Sequence, residues 1–335
     1  MAEKAIRLGG EATTDAIVSA VDALYTEHSF DEKDFTLKHN DDEIAVDSNF
    51  AAQSFWKDAL IRFFGKKSAV LGLVLIVVIV LLAIFGPGMN AYTYSGQDLS
   101  QKNFAPRVPG IENFGILDGS EKISTTTGSK TVNAYVEKGK EDVYYWFGSD
   151  LYGRDIWTRT WEGARVSLII AVAAAVIDMV IGMSYGLISG YFGGKVDMVM
   201  QRFLEVANGI PRLVIVTLLL LVLQPGMVTI IFALMLTEWV GMSRIARAEM
   251  LKLKDQEFVL ASRTLGAGSF FIIFKEVLPN IIGPIITQVM FSIPTAIFTE
   301  AFLSFVGLGI PVPQCSLGSL ISELYNSFTT HPYQI

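Results

Sequence analysis

The chain has 335 residues; 51% are hydrophobic, only 18% are charged, and the net charge is −7. Ordinary soluble domains carry about 25% charged residues, so this composition excludes a disordered chain and argues against a plain soluble one. The negative balance argues against a nucleic-acid partner, because neutralising phosphates needs a basic face.

The charge is unevenly placed. Residues 1–60 hold 13 acidic and 5 basic side chains, a balance of −8, which leaves the other 275 residues at +1. Residues 1–50 read as a solvated acidic tail, and they lack the apolar segment of a signal peptide. Over 51–67, Phe55, Trp56, Ala59, Leu60, Phe63 and Phe64 recur at helical spacing between Lys57, Asp58 and Arg62. That pattern fits an amphipathic helix on the inner leaflet, and equally a short helix packed on protein.

A membrane span needs ~20 mostly apolar residues to cross a hydrocarbon core ~30 Å thick. Five runs qualify: 68–87, 165–190, 206–223, 226–243 and 281–303. Gln224-Pro225-Gly226 joins the third and fourth as a tight hairpin. Gly182, Gly186 and Gly190 repeat every four residues on the second span, the small-residue spacing of close helix packing. Residues 88–164 form an insert, Gly-, Ser-, Thr- and Asn-rich over 88–147, with strand-like alternation around Thr131–Val136.

Sidedness follows from Lys and Arg. Arg62, Lys66 and Lys67 precede the first span, Lys195 and Arg202 separate the second and third, and Arg244, Arg247, Lys252, Lys254, Arg263 and Lys275 separate the fourth and fifth. The segments 224–226 and 304–335 have none. The N-terminus is therefore expected in the cytoplasm and the 88–164 insert outside it.

Several chemistries find no residues. Gly193-Gly194-Lys195 is not a phosphate loop, since Ser189 stands at its first-glycine position and Val196 follows the lysine. Gly266-Ala267-Gly268 continues as Ser-Phe-Phe, which is no dinucleotide fingerprint. Cys315 is the single cysteine, and His28, His39 and His331 lie outside every apolar run, so neither a disulfide nor a His-based metal site is expected. Nothing here hydrolyses ATP, so energy must come from a partner or a gradient.

Two features remain. The loop 251–280 is long for a connection between spans, and its pattern predicts two short amphipathic helices bent at Gly266 and Gly268, the second stopped at Pro279. Such a knob suits insertion into a groove on a soluble partner. In the fifth span Gln288, Ser292, Thr295 and Thr299 form one polar stripe with Glu300 beside it. The stripe reads either as a translocation lining or as a hydrogen-bonded seam to a neighbouring helix. Pro284 and Pro294 are expected to bend that helix. Asp178 and Glu238 sit midway along the second and fourth spans, where a charge costs roughly 2.5–3.5 kcal/mol. Each reads as a contact for a substrate ammonium or basic side chain, or as a group with a buried protein partner.

The run Glu257-Phe-Val-Leu-Ala261-Ser-Arg-Thr-Leu-Gly266, with Lys275 and Leu278-Pro279 beyond it, resembles the coupling loop of ABC-importer permeases. Leu260-Ala261-Ser262 stands where that family has Glu-Ala-Ala. Phe147-Gly-Ser-Asp150-Leu-Tyr-Gly153-Arg154-Asp155 with Gly163-Ala-Arg165, Glu300–Gly309, and Ser54-Phe-Trp56-Lys57 are similar to segments of the oligopeptide and dipeptide (C-type) permeases. The resemblance covers about 50–325. It implies an all-α polytopic membrane protein with the type I ABC-importer transmembrane fold and a small extracytoplasmic insert. It also implies an importer for oligopeptides in a bacterial cytoplasmic membrane, with dipeptide or nickel-chelate import as the alternative. Glu257, Ala261, Gly266, Lys275, Leu278 and Pro279 would couple to ATPases, and Gln288, Ser292, Thr295, Thr299 and Glu300 would line the path. Implied partners are a second permease, two ATPase subunits holding ATP and Mg, a peptide-binding protein and the bilayer; this chain would bind no cofactor. The family has six spans, so the five found here predict an interruption before the last, with an exposed end at His331-Pro332. Outside the family, a secondary transporter or channel would require paired interrupted repeats. An intramembrane enzyme would require a nucleophile or metal set within the spans.

Overall fold

A computed structural model describes residues 55–125 and 128–335, together with Ser19, Asp22 and Ala23. Those three apart, the predicted acidic tail over 1–50 lies outside the described residues. The chain divides into two units, Met1–Val70 and Leu71–Ile335.

The first unit contains α1 (Phe55–Phe64), the core of the helix predicted over 51–67. Asp58 and Arg62 pair one turn apart at 2.8 Å, while Leu60, Phe63 and Phe64 stay exposed. α2 (Lys67–Phe85) starts here and continues into the second unit. It is apolar all round, as a helix surrounded by hydrocarbon must be.

Among the described residues, four helices are long and apolar enough to cross a membrane: α2 with its extension to Gly88, α3 (Ile156–Phe192), α6 (Met227–Leu253) and α8 (Ser269–Phe305). α3 starts at Ile156 rather than 165, because the Asp155 carboxylate caps it by accepting from the Thr158 N–H at 2.8 Å. The insert shortens accordingly. α6 runs on past the predicted limit of 243.

The third predicted span, 206–223, is not one continuous helix; if its bent pair counts as a single broken span, the four become five. It is divided between α4 (Gly194–Gly209) and α5 (Arg212–Val222), which meet at 75°. Pro211 has no N–H to continue a helix and pushes Ile210 to extended geometry, with φ −88° and ψ 123°. The 11 residues of α5 extend only roughly 16 Å, about half the hydrocarbon thickness.

Side chains hold these helices at their ends. Arg165 donates to the carbonyls of Ala83 and Ile84, both at 2.9 Å, and Trp157 Nε1 donates to that of Gly86 at 2.9 Å. These donors satisfy the carbonyls that end α2. Asp197 on α4 accepts from Ser189 Oγ (2.5 Å) and from Arg247 Nε and Nη2 (both 2.6 Å), joining α4 to α3 and α6. The glycine stripe of α3 lies directly on the α6 backbone, so the packing reading of Gly182, Gly186 and Gly190 holds.

Within the insert, β1 (Ser120–Thr125) and β2 (Gly128–Asn133) pair antiparallel, with Ser120 opposite Asn133. The alternation read over Thr131–Val136 is strand only as far as Asn133. There the Asn133 side chain accepts from the Tyr135 and Val136 N–H groups and starts one helical turn, Ala134–Glu137. Phe104, Tyr135 and Tyr145 form the insert's core, and burial pushes the phenols of both tyrosines up.

Residues beyond α8 dock on this insert. α9 (Leu317–Leu324) starts with a reciprocal Ser316–Ser319 capping box. Tyr333 donates to the Asn103 carbonyl at 3.0 Å, Gln334 to that of Ser149 at 2.9 Å, and His331 lies 2.8 Å from Glu121. Of the end expected to be exposed at His331-Pro332, Pro332 is exposed, while His331 is half-buried and Gln334 beyond it is buried. Cys315 is also buried, with its thiol on the Arg159 carbonyl, and burial pushes the thiol up. A maleimide at about pH 8, near the ordinary thiol range, is expected to leave Cys315 unmodified until the protein is denatured. A mass shift in the native protein would contradict that burial.

Candidate functional site

A cleft of about 230 Å³ lies where α3, α4, α5, α6 and α8 converge. Its walls carry Asp178, Glu238, Gln288, Ser292 and Thr295, five residues singled out from three separate apolar runs. Asp178 reaches it from a π turn, Asp178–Gly182, inside α3. The wider turn interrupts the regular ladder, a common device at functional positions. Ser292 donates to Asp178 Oδ2, which leaves Oδ1 without a donor. Glu238 faces Arg212, with Nη1 and Oε1 2.6 Å apart in a charge contact lacking hydrogen-bond angles. Each central carboxylate thus has the protein partner that was one of its two readings.

The stripe on α8 is split by its surroundings. Gln288 and Thr299 are half-buried, Ser292 is buried and Thr295 is exposed. Thr295 and Thr299 donate to the carbonyls of Phe291 and Thr295, four residues back, which satisfies their hydroxyls within the helix. Thr299 lines an adjoining apolar groove and receives a 3.3 Å contact from Arg212. Glu300 does not open on the cleft. It is fully buried and accepts from Ser167 (2.9 Å) and Ser304 (2.7 Å), tying α8 to α3. Its helical position turns it to the opposite side of α8 from Thr295. Pro284 and Pro294 both sit inside α8, each removing one ladder bond without ending the helix.

Arg212, Arg244 and Asn208 also line the cleft and were not singled out from the sequence. Arg212 left a readable signal: a cation just after a proline, within an otherwise apolar run. Arg244 looked like one more loop charge.

The second candidate is the protruding loop. α7 (Glu257–Thr264) ends in a glycine turn, with Gly266 at φ +83° and its N–H bonded to the Arg263 carbonyl. Glu257, Ala261, Gly266, Lys275 and Pro279 are exposed, and Leu278 is half-buried. Leu265 is 87% exposed and Phe270 64%, so the tip is apolar as well as open. The root is different. Val259, Ile272, Ile273 and Val277 are buried in one cluster with Leu187 of α3 and Met242 and Met250 of α6. The second short helix does not stop at Pro279. A π turn over Ile272–Val277 leads into Pro279 at the first turn of the following α segment, where its missing N–H leaves nothing unpaired.

The Asp150–Asp155 motif builds a third group. Asp150 Oδ2 accepts from Arg154 Nε (2.6 Å) and Arg159 Nη1 (2.7 Å), and Glu323 Oε2 from Arg154 Nη2 (2.6 Å) and Arg159 Nη1 (2.9 Å). The network pins α9 to the start of α3. Gly153, at φ +71°, lets the chain pass the Asp98 backbone, where a Cβ would stand 1.8 Å from a carbonyl oxygen. Beside it, burial pushes Asp155 above the usual carboxylate range, against the donors of Thr158 and Asn90.

Comparison with known proteins follows the same division. Residues 182–331, which include most of the cleft and the whole loop, match the family model described as binding-protein-dependent transport system inner membrane component. Residues 54–106 match the N-terminal transmembrane domain of oligopeptide transport permease C. The chain is 42% identical to the oligopeptide transport system permease protein OppC of Bacillus subtilis over 282 residues, 84% of this chain and 81% of that one. It is 40% identical to the dipeptide transport system permease protein DppC of the same organism, over 81% of this chain and 73% of that one. A solved chain of the inward-facing methionine transporter MetNI aligns at 17% identity and TM-score 0.45, covering 52% of this chain and 86% of that one. With the loop, most of the cleft and α2 inside the matched regions, and 42% identity to OppC over four-fifths of both chains, this chain belongs to the ABC-importer permeases of the oligopeptide and dipeptide C type.

Proposed function

We propose that this chain is the membrane-spanning permease subunit of an ATP-driven importer for oligopeptides. The observation that carries the reading is 42% identity to an oligopeptide permease across four-fifths of both chains. Dipeptide import is the second reading, favoured by the DppC relative at 40%. The chain would enclose half of the path, with a second homologous permease completing it. Its N-terminus and the 251–280 loop would face the cytoplasm, and the 88–155 insert the binding protein outside. Two ATPase subunits would hold ATP and Mg; no residue set for hydrolysis is proposed in this chain.

The loop suits the work of a lever. Its tip offers Leu265 and Phe270 to a groove, while Val259, Ile272 and Ile273 root it in the packed core. ATPase closure that displaces the tip would therefore move α6 and α8, the walls of the cleft, rather than bend a loose strand.

The test is reconstitution of the chain with candidate partners in proteoliposomes, scoring uptake of a peptide library. ATP-dependent uptake of oligopeptides is expected. Uptake of Ni²⁺ alone would redirect the substrate, and uptake persisting without ATPases would indicate a secondary transporter or channel.

A second expectation concerns Gly266. Left-handed backbone costs a residue other than glycine roughly 1–2 kcal/mol, but a Cβ at Gly266 meets no atom within 4 Å. Gly266→Trp should leave the body folded and obstruct docking at the tip. ATP hydrolysis in the assembled complex should then no longer track transport. Normal coupled transport would remove the lever assignment.

A further inference from the structure

The cleft contains two carboxylates and two guanidiniums, and they are unequally partnered. Arg212 and Glu238 face each other at 2.6 Å. Asp178 is only 2% exposed, keeps one bond from Ser292, and presents Oδ1 with no donor. Arg244, on α6, is exposed, lines the same cleft and makes no hydrogen bond or ion pair among the described residues. A buried carboxylate oxygen without a donor is costly and calls for a partner from outside the chain. Asp178, with a buried oxygen that lacks a donor, and Arg244, with an unpaired guanidinium, thus line one space of about 230 Å³. Drug-sized ligands occupy pockets of roughly 300–1,000 Å³, so this cleft suits a smaller or narrower group.

We propose that Asp178 and Arg244 form a station for the free ends of a peptide. Asp178 Oδ1 accepts from the N-terminal ammonium, and the Arg244 guanidinium donates to the C-terminal carboxylate. This rests on the peptide-importer reading and deepens it: the ligand is a zwitterionic main chain, recognised by its ends rather than its side chains. Glu238 is held by Arg212 and shapes the station without contacting the ligand. Gln288 and Thr295 remain within the same walls for the peptide groups between the ends. The competing occupant of Asp178 is a donor from the second permease.

The test uses the full complex in nanodiscs, without binding protein, carrying the photoreactive p-benzoylphenylalanine in place of Phe291. Phe291 lines the cleft and is 68% exposed. The probes are radiolabelled tri-alanine with free ends, its N-acetyl form and its C-terminal amide. Free tri-alanine is expected to give the strongest adduct. Asp178→Asn, which keeps the shape, should lower the free-peptide adduct about tenfold, the effect of one charge-assisted hydrogen bond, and leave the N-acetyl adduct unchanged. Arg244→Gln should act in the same way on the free and amidated pair. Equal loss for free and capped peptides, or an adduct formed with the second permease instead of peptide, would overturn the proposal. Uptake in proteoliposomes separates the two readings. An end-dependent adduct without ATP-driven uptake refutes the importer and leaves the station standing. ATP-driven uptake with no end-dependent adduct refutes the station alone.

Discussion

Gly186→Ala is expected to destabilise the helical body by about 3 kcal/mol, with Gly186→Leu preventing assembly altogether. A Cβ at Gly186 would lie 2.1 Å from the Ser243 carbonyl oxygen, 2.8 Å from Ala246 Cβ and 2.9 Å from the Arg247 nitrogen. Two of those three atoms are backbone, so no side-chain rotation relieves the contact and α3 must move away from α6. That movement would also separate Asp197 from Arg247, because Ser189 and Gly190 lie on the same stretch of α3. Gly72→Ala is the matched control. It also lies in a helix, but a Cβ there meets no atom within 4 Å, so helix propensity alone should stabilise by about 0.5–1 kcal/mol. Thermal melting of both variants in one detergent decides the matter. A Gly186→Ala protein that melts with the wild type would refute the close-packed geometry.

Arg159→Met should be about as damaging, at about 3–5 kcal/mol, the cost of leaving buried carboxylates without their cation. Arg159 has no exposed surface and contacts both Asp150 and Glu323. Arg154 also contacts both and cannot offset two carboxylates alone. Arg159→Lys keeps the charge but loses the fork that meets both Glu323 oxygens, so it should fall between the two. Because Glu323 lies on α9, the loss should appear first as faster hydrogen exchange over Leu317–Leu324. Unchanged exchange there would mean that α9 is held by other contacts.

These two sites differ in how legible they were. The glycines announced themselves, since a four-residue repeat of the smallest side chain on an apolar helix has one ordinary physical use. The ion network did not. Asp150 and Arg154 were visible as a motif, but Glu323 joins them from more than 150 residues away, and nothing local marks it. The cleft was half legible. Asp178, Glu238 and the Gln288–Thr295 stripe stood out as polar groups in apolar runs. Arg244, hidden among ordinary loop cations, did not. Glu300 departs from the stripe for a geometric reason: one residue past Thr299 is a 100° turn of the helix, enough to carry it from the groove beside Arg212 to the α3 interface.

Local chemistry determined what each segment is. Apolar length marked the membrane-crossing helices, Gly266 marked the turn of the loop, and the carboxylate of Asp155 set where α3 begins. Where a single residue overrides a pattern, the override was also local: Pro211 broke the third run into two helices at 75°. What no local property contains is pairing. Whether a polar side chain in an apolar helix meets a serine, an arginine or open space depends on which helix packs beside it, and at what rotation. Asp178 beside Ser292, Glu238 beside Arg212, and Arg244 beside neither are decisions of tertiary structure. Burial makes a polar group's partner matter, and only packing supplies or withholds that partner.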